Sequence, residues 1–121
     1  ASDVYKRQVL MQVALDLDLS DEDRMSPVRT NRVLAIVSQA LANAARHGHA
    51  KHIAVRAQRR HEELLLAIED DGGGFRPQAN GHGYGLRDMR DHARLLGGEL
   101  AVESLPGKGP KVFLTAPWND S

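Results

Sequence analysis

An acidic pair followed by three glycines, at residues 70–74, is the stretch of this sequence best suited to binding chemistry. It follows a segment in which Leu64, Leu66 and Ile68 alternate with more polar positions, a pattern that predicts a half-buried strand ending at Asp70. An ionised carboxylate only accepts hydrogen bonds, so Asp70 suits the exocyclic amine of adenine and opposes the carbonyl oxygen that guanine carries there. The glycines leave the backbone bare enough for a flat base to approach it closely. We therefore predict a nucleotide site in which Asp70 selects the base.

A second glycine cluster, at Gly81, Gly83 and Gly85, precedes a helical pattern. Backbone N–H groups and the positive end of a helix dipole at that point would suit phosphate groups. Either cluster alone is also typical of an ordinary turn, whereas the two together favour a nucleotide site. The Walker phosphate loop is absent from the sequence, and the second cluster lacks the last glycine of a dinucleotide fingerprint.

A polar row accompanies these clusters on the first long helical pattern. Gln39, Asn43 and His47 are spaced four residues apart, which places their side chains on one side of a helix. A solvent-exposed face is the alternative interpretation. The row is rich in amides, unlike the arginine and glutamate of most helix surfaces, and this favours a functional role.

The elements that must position these residues follow from hydrophobic periodicity. The predicted order is strand, helix, two strands, helix, two strands, which indicates an α/β two-layer sandwich: a mixed, mainly antiparallel sheet with helices on one face. The first strand is expected to bury one face, formed by Met11, Val13, Leu15, Leu17 and Leu19. The first helix is expected to begin at Ser26 and Pro27, to run to about residue 47, and to bury a stripe formed by Val33, Ile36, Val37, Ala40, Leu41 and Ala44.

The second half of the chain contains two predicted hairpins and a second helix. Ile53, Val55 and Ala57 alternate, and residues 59–62 are expected to turn the chain into the strand before Asp70. The last hairpin is predicted from strands at 100–104 and 112–116, joined by a turn at 106–109. The second helix is expected to stop at the glycine pair 97–98 and to bury Leu86, Met89, His92, Ala93 and Leu96.

Composition limits the classes of function. The 121 residues include 16 basic and 16 acidic side chains and no cysteine, so no overall field favours nucleic acid or an anionic membrane, and thiol chemistry is excluded. One domain is expected at this length. Residues 1–8 are expected to be a non-native or disordered leader, with the domain at 9–118 and a tail at 119–121. No apolar run is long enough to span a membrane, and a cytoplasmic location is expected.

Across residues 9–117 the sequence resembles the ATP-binding catalytic domain of sensor histidine kinases, in the GHKL ATPase superfamily with its Bergerat-type fold. Residues 36–47 are similar to that family's N box, 70–75 to its first glycine box and 83–89 to its second. The very short stretch between the glycine boxes resembles the subfamily that includes nitrate sensors. The resemblance implies ATP and Mg²⁺ as cofactors, with Mg²⁺ held by Asn43, and Asn43 and Gln39 as the catalytic positions. It implies that the nucleotide is bound by Asp70, Gly72, Gly74, Asn43, His47, Gly83, Tyr84, Gly85, Leu86 and Lys108.

The implied function is donation of the ATP γ-phosphate to a histidine on an upstream dimerisation helix, in cis or in trans, that is expected to lie outside this chain. A response regulator is the implied downstream partner. The full-length protein is expected to be a homodimer, and a segment outside this chain could anchor it in a membrane. Neither nucleic acid nor direct membrane contact is expected of this segment.

Two departures from the family pattern bear on catalysis. Gln39 stands where the N box usually has glutamate. Residues 106–109 resemble the final turn of the family, which usually continues with threonine where this chain has Pro110. An amide cannot act as a general base, so hydrolysis of ATP by water is expected to be very slow, whereas a neutral imidazole acceptor needs less help. The alternatives are a degenerate nucleotide-binding module without phosphotransfer and an anti-sigma-type serine kinase.

Overall fold

The structure, a computed structural model, describes residues 12–46, 50–72, 85–103 and 111–120. Its elements occur in the predicted order, and the predicted two-layer sandwich is confirmed. No helix in these ranges combines the length and the apolar character that crossing a bilayer requires. The elements are strand β1 Gln12–Asp18, helix α1 Pro27–Arg46, strands β2 His52–Arg60 and β3 Glu63–Asp70, helix α2 Leu86–Leu95, and strands β4 Glu99–Glu103 and β5 Lys111–Pro117.

The five strands form one mixed sheet in the order β1-β2-β3-β5-β4. β1 runs parallel to β2, and the other neighbouring strands are antiparallel. Alternate residues of β2, β3 and β5 face the two helices and form one apolar core with them. This core includes Ile53, Val55, Leu64, Leu66, Ile68, Val112, Leu114, Ile36, Ala40, Met89, Ala93 and Leu96. The residues between them in the strands, such as Leu65 and Phe113, lie on the opposite, uncovered face of the sheet and are only partly buried.

Helix α1 begins where its sequence predicts. Pro27 is its first residue, and the Ser26 hydroxyl accepts a hydrogen bond from the Arg29 N–H at 3.2 Å. Serine is a favoured capping residue, and proline fits the first helical position because its missing N–H has no partner there. The predicted stripe of α1 is buried or partly buried against the core, as expected for Val33, Ile36, Val37, Ala40, Leu41 and Ala44.

Helix α2 ends in a Schellman motif at the predicted glycine pair. Gly97 has a left-handed φ of 74°, which glycine adopts without strain from a Cβ. Its N–H donates to the Arg94 carbonyl oxygen, and the Gly98 N–H donates to the Ala93 carbonyl oxygen, both at 2.9 Å. His92 was predicted to be buried in this helix but is partly exposed. The other residues of the predicted stripe are buried: Leu86, Met89, Ala93 and Leu96.

The prediction of a buried face on the first strand is wrong. β1 is a strand, but Val13, Leu15 and Leu17 are 44%, 66% and 55% exposed, and Leu19 beyond it is 37% exposed. These β1 residues are in register with the core positions of β2, so they lie on the helix side of the sheet. They are exposed because β1 is an edge strand and the helices cover the middle of the sheet. Met11 lies outside the described residues.

The turn between β2 and β3 is shorter than predicted. Arg59 and Arg60 belong to β2, which leaves residues 61–62 to form the turn. The Arg59 guanidinium forms an ion pair with Asp23 at 3.1 Å and lies 4.8 Å from the ring centroid of Trp118. These contacts link the end of β2 to the segment before α1 and to the residue after β5.

A buried arginine joins both helices to the end of the sheet where β5 finishes. Arg29 is 4% exposed, and its guanidinium donates to the carbonyl oxygens of Leu96, Pro117 and Trp118, at 2.8 Å for Leu96 and 3.2 Å for Trp118. It also forms an ion pair with Asp120 at 2.9 Å. Nothing in the periodicity of the sequence distinguishes Arg29 from a surface arginine.

Candidate functional site

Asp70 is the last residue of β3, as predicted, and its carboxylate is half-buried. Its Oδ1 accepts the Gly72 N–H at 2.7 Å. Burial raises the pKa of the Asp70 carboxyl above its usual value; the Gly72 hydrogen bond opposes this shift, and the neighbouring charge of Asp71 adds to it. A partly desolvated carboxylate with one oxygen held in place can accept a ligand hydrogen bond on the other oxygen.

The adjacent Asp71 has a different environment. Its Oδ1 accepts the backbone N–H groups of Lys51 and His52 at 2.9 and 3.0 Å, and its Oδ2 lies 2.7 Å from His52 Nδ1. The hydrogen bonds from His52, with a further one from Lys51, lower the pKa of Asp71 to about 2. The sequence predicted a role for Asp70 alone. The only sign that Asp71 has a role was its position in a pair of acidic residues.

Asn43 lies in the last part of α1 and is 3% exposed. Its neighbour Ala44 accepts the N–H of Ala50 through its carbonyl oxygen at 2.9 Å, which ties this end of α1 to the start of β2. Asn43 therefore lies toward the end of the sheet at which β3 finishes.

The donor set at this end of α1 fits Mg²⁺. An amide oxygen is a hard ligand of the kind that Mg²⁺ takes. The described ranges contain no group of three or more His, Cys, Asp or Glu side chains that could hold a metal ion. Among the described residues, Asn43 is therefore a residue that could supply an oxygen ligand to Mg²⁺.

Gln39 lies against the glycine that precedes α2. A Cβ placed on Gly85 would lie 1.9 Å from Gln39 Nε2 and 2.3 Å from Gln39 Cδ. Gly85 also has a φ of 65°, in the left-handed region. The amide therefore occupies space that any side chain at position 85 would fill, and Gln39 of the polar row contacts Gly85 of the second glycine cluster.

The structure describes six of the predicted site residues and brings four of them together in two pairs. Gln39 contacts Gly85, and Asp70 contacts Gly72. The Leu86 side chain is in the core, so its backbone is the part that would face a ligand. Five predicted residues lie outside the described ranges, as does Pro110: His47, Gly74, Gly83, Tyr84 and Lys108.

Two open depressions, each of about 630 Å³, lie among the described residues, and neither is lined by Gln39 or Asn43. The first is on the uncovered face of the sheet, around Arg56 and Phe113. The second borders Asp70 from the β1 side. Both are formed mostly by strand residues, and neither joins Asp70 to Gln39 or Asn43.

Replacing Gly85 by alanine is expected to destabilise the fold more than the same change at Gly97. Both glycines have a positive φ, at which alanine destabilises by about 1 kcal/mol. Gly97 has only Pro117 side-chain atoms near the added Cβ, at 3.8 and 3.9 Å, whereas Gly85 has the Gln39 amide. Overpacking adds roughly 1 to 3 kcal/mol at Gly85. Urea denaturation of the two variants measures the difference.

The double variant G85A/Q39A separates sterics from backbone strain. Removing the Gln39 amide should reduce the destabilisation by G85A to about that of G97A, near 1 kcal/mol. Equal destabilisation by G85A and G97A would contradict the contact between Gln39 and Gly85.

Three comparisons with known proteins show the family to which this chain belongs. Residues 29–120 match the family model described as histidine kinase-, DNA gyrase B- and HSP90-like ATPase. The chain is 32% identical over 104 residues to a sensor-like histidine kinase of Chloroflexus aurantiacus, covering 80% of the chain and 17% of that protein. It is 30% identical over 115 residues to the sensor protein VraS of Staphylococcus saprophyticus, covering 94% and 32%.

A solved structure is similar along nearly the whole chain. The ATP binding domain of PrrB from Mycobacterium tuberculosis matches with a TM-score of 0.73 and 25% identity, over 99% of this chain and 89% of that one. The chain spans less than a third of the length of the two curated relatives named above. With about three quarters of its residues, 29–120, matched by one family model, the chain belongs to the histidine kinase-, DNA gyrase B- and HSP90-like ATPases, as an ATP-binding catalytic domain of the histidine-kinase type.

Proposed function

We propose that this chain transfers the γ-phosphate of ATP to a histidine on a dimerisation helix of a two-component sensor kinase. The observation that carries the proposal is the contact between Gln39 on α1 and Gly85 at the start of α2. It joins the amide row to the second glycine cluster, as a shared nucleotide pocket requires. The likeness to sensor kinases and to the ATP binding domain of PrrB supports it.

Each described site residue has a task in this proposal. Asp70 accepts the exocyclic amine of adenine on the oxygen that Gly72 does not occupy. The Asn43 amide oxygen binds Mg²⁺, which when bound neutralises charge on the phosphate oxygens. The backbone at Gly85 and Leu86, at the N-terminus of α2, faces the phosphates. The further nucleotide contacts belong to Gly74, His47, Gly83, Tyr84 and Lys108.

The acceptor is proposed to be a histidine because of Gln39. An amide does not accept a proton at neutral pH, so Gln39 does not activate water. It acts by positioning, through its contact with Gly85. A neutral imidazole attacks phosphorus without prior loss of a proton, whereas water and a serine hydroxyl benefit from a base. Positioning and electrostatics then carry the transfer, as in other phosphoryl-transfer sites.

The rest of the pathway is proposed by analogy with the relatives. The phosphorylated histidine would lie on a dimerisation domain in cis or in trans, a response regulator would receive the phosphoryl group, and the complete protein would be a homodimer with this domain in the cytoplasm. We assign the chain to the short-lid, nitrate-sensor-like subfamily, with residues 9–118 as the domain.

The experiment that tests the proposal uses ATP labelled at the γ-phosphate. The chain is incubated with Mg²⁺, labelled ATP and a separate dimerisation helix pair that carries its histidine, and with a histidine-to-alanine version of that pair. Label on the helix pair that needs its histidine is the expected result. Tight ATP binding with no labelled acceptor would favour the binding-only module, and brisk release of free phosphate would contradict the role given to Gln39.

Gln39→Glu is expected to raise ATP hydrolysis by about 100-fold, the lower part of the range for a general base. The carboxylate has nearly the same shape as the amide, so it should fit beside Gly85 and accept a proton from water. Transfer to histidine should change much less. Free phosphate release measures the first effect and acceptor labelling the second.

Gln39→Met is the matched control, because it fills similar space without a proton acceptor. It should leave hydrolysis at the wild-type level. An equal rise in Q39E and Q39M, or no rise in Q39E, would show that water activation does not limit hydrolysis in this domain.

A further inference from the structure

Asp71 closes the end of the β2–β3 ladder directly beside Asp70. The last register pair of the two strands joins Ile53 to Asp70. Beyond it, the Asp71 N–H donates to the His52 carbonyl oxygen at 3.1 Å. The Asp71 carboxylate then accepts two backbone N–H groups and contacts the His52 imidazole at 2.7 Å. Four contacts therefore hold the chain at the one residue that follows Asp70.

The segment that Asp71 holds is also tied to α1. Lys51 and His52 follow Ala50, which is 2% exposed and donates its N–H to the Ala44 carbonyl oxygen at 2.9 Å. Ala44 is next to Asn43 in the helix. Residues 50–52 are therefore held by hydrogen bonds on both sides, to the end of α1 through Ala50 and to the Asp71 carboxylate through Lys51 and His52.

The two adjacent carboxylates are engaged to different extents. Both Asp71 oxygens contact the start of β2, and the hydrogen bonds hold its pKa at about 2, so it stays ionised at neutral pH. Asp70 has one hydrogen bond among the described residues, to the Gly72 N–H. Asp71 is therefore committed to the protein, while the second Asp70 oxygen accepts no hydrogen bond from the described residues and is the one proposed for a ligand.

We propose that Asp71 is a positioning residue for base recognition. By closing the ladder it fixes the Asp70 backbone relative to the end of α1, so that the Asp70 carboxylate meets the exocyclic amine of the base while the triphosphate lies near Asn43. This inference rests on the proposed function, since it assigns Asp71 a task at the same site. It predicts that loss of the Asp71 contacts weakens discrimination between bases more than it weakens triphosphate binding.

The test compares dissociation constants for ATP and for purine riboside triphosphate, measured by calorimetry with Mg²⁺ present. The analogue has hydrogen where ATP has the amine, and it keeps the ring and the triphosphate. Wild-type protein should prefer ATP by about tenfold or more, as expected for a hydrogen bond to a charged group. Asp71→Ala should reduce that preference to about two- to threefold, because Asp70 is no longer held in place.

Two variants serve as matched controls. Asp71→Asn keeps an oxygen that can accept the same two backbone N–H groups, so it should retain most of the preference for ATP. His52→Ala removes only the side-chain contact and should also remain close to wild type. A variant that is merely less stable binds both nucleotides less well by the same factor, which leaves the ratio unchanged.

The outcomes separate this inference from the proposed function. If wild type does not prefer ATP, or if Asp70→Ala keeps the preference, the assignment of Asp70 itself fails. If those two results hold and Asp71→Ala keeps the wild-type ratio, only the role of Asp71 is overturned. Should Asp71→Ala not fold, Asp71→Ser provides the same comparison: it retains one acceptor, and its ratio should fall below that of Asp71→Asn.

Discussion

Asp70→Asn is expected to weaken ATP binding by about tenfold to 100-fold, equivalent to about 1.5 to 3 kcal/mol for a hydrogen bond to a charged group. The amide presents one oxygen instead of two. In the structure one Asp70 oxygen already accepts the Gly72 N–H. The amide would have to give up that bond or turn its NH₂ group toward the adenine amine. Calorimetric titration with Mg-ATP measures the effect.

The same variant is expected to be at least as stable as wild type without nucleotide at neutral pH. Burial raises the Asp70 pKa in the folded protein, so folding favours the protonated carboxyl. That contribution is fully present below the ordinary carboxyl pKa and is lost as the pH rises through the raised value. Above it, the ionised carboxylate opposes folding, and the neutral amide does not. The advantage of Asp70→Asn should therefore disappear as the pH falls below the ordinary carboxyl range.

Glu69→Gln is the matched control for this substitution. Glu69 precedes Asp70 in β3, faces the uncovered side of the sheet and is partly buried. The Glu69→Gln substitution should leave ATP affinity unchanged. Wild-type affinity in Asp70→Asn, or equal losses in the two variants, would contradict the assignment of Asp70 to the base.

Arg29→Ala is expected to lower the free energy of unfolding by about 3 to 5 kcal/mol, the range for removing one member of a buried charged network. Alanine would leave three backbone carbonyl oxygens without their donor at the junction of α1, α2 and β5. Since small domains are stable by only about 5 to 15 kcal/mol, such a variant should melt at a much lower temperature. Urea denaturation followed by circular dichroism measures it.

Asp120→Asn separates the ion pair from the carbonyl contacts of Arg29. The Asp120 side chain is 75% exposed, so its loss should change stability by less than about 1 kcal/mol. Arg29→Lys should fall between the two, because an ammonium cannot reproduce the planar fork of donors. A large effect of Asp120→Asn with a small effect of Arg29→Ala would contradict this picture.

Local patterns predicted most of the fold because they depend on short-range physics. The Ser26 cap, the stop at Gly97 and the alternation in β2 and β3 each follow from the chemistry of a few neighbouring residues. The exposure of Leu15 could not be predicted in this way. Alternation distinguishes the two faces of a strand, but it does not show whether a helix covers a strand at the edge of the sheet.

Contacts between distant parts of the chain were the ones that the sequence did not predict. Arg29 bonds to carbonyl groups that lie 67 to 89 residues further along, and no periodicity records such a distance. Asp71 follows Asp70 directly, yet its partners Lys51 and His52 belong to another strand. For the site, the sequence identified Gln39 and Gly85 separately, and their contact emerged only from the packing of α1 against the start of α2.

A crystal structure of the chain with Mg²⁺ and a non-hydrolysable ATP analogue tests the central claim most directly. We expect the adenine amine within hydrogen-bonding distance of the Asp70 carboxylate, about 2.7 to 3.2 Å, and the Mg²⁺ ion bound to the Asn43 amide oxygen. An analogue bound on the uncovered face of the sheet, or bound without contact to either Asp70 or Asn43, would contradict the proposed nucleotide site.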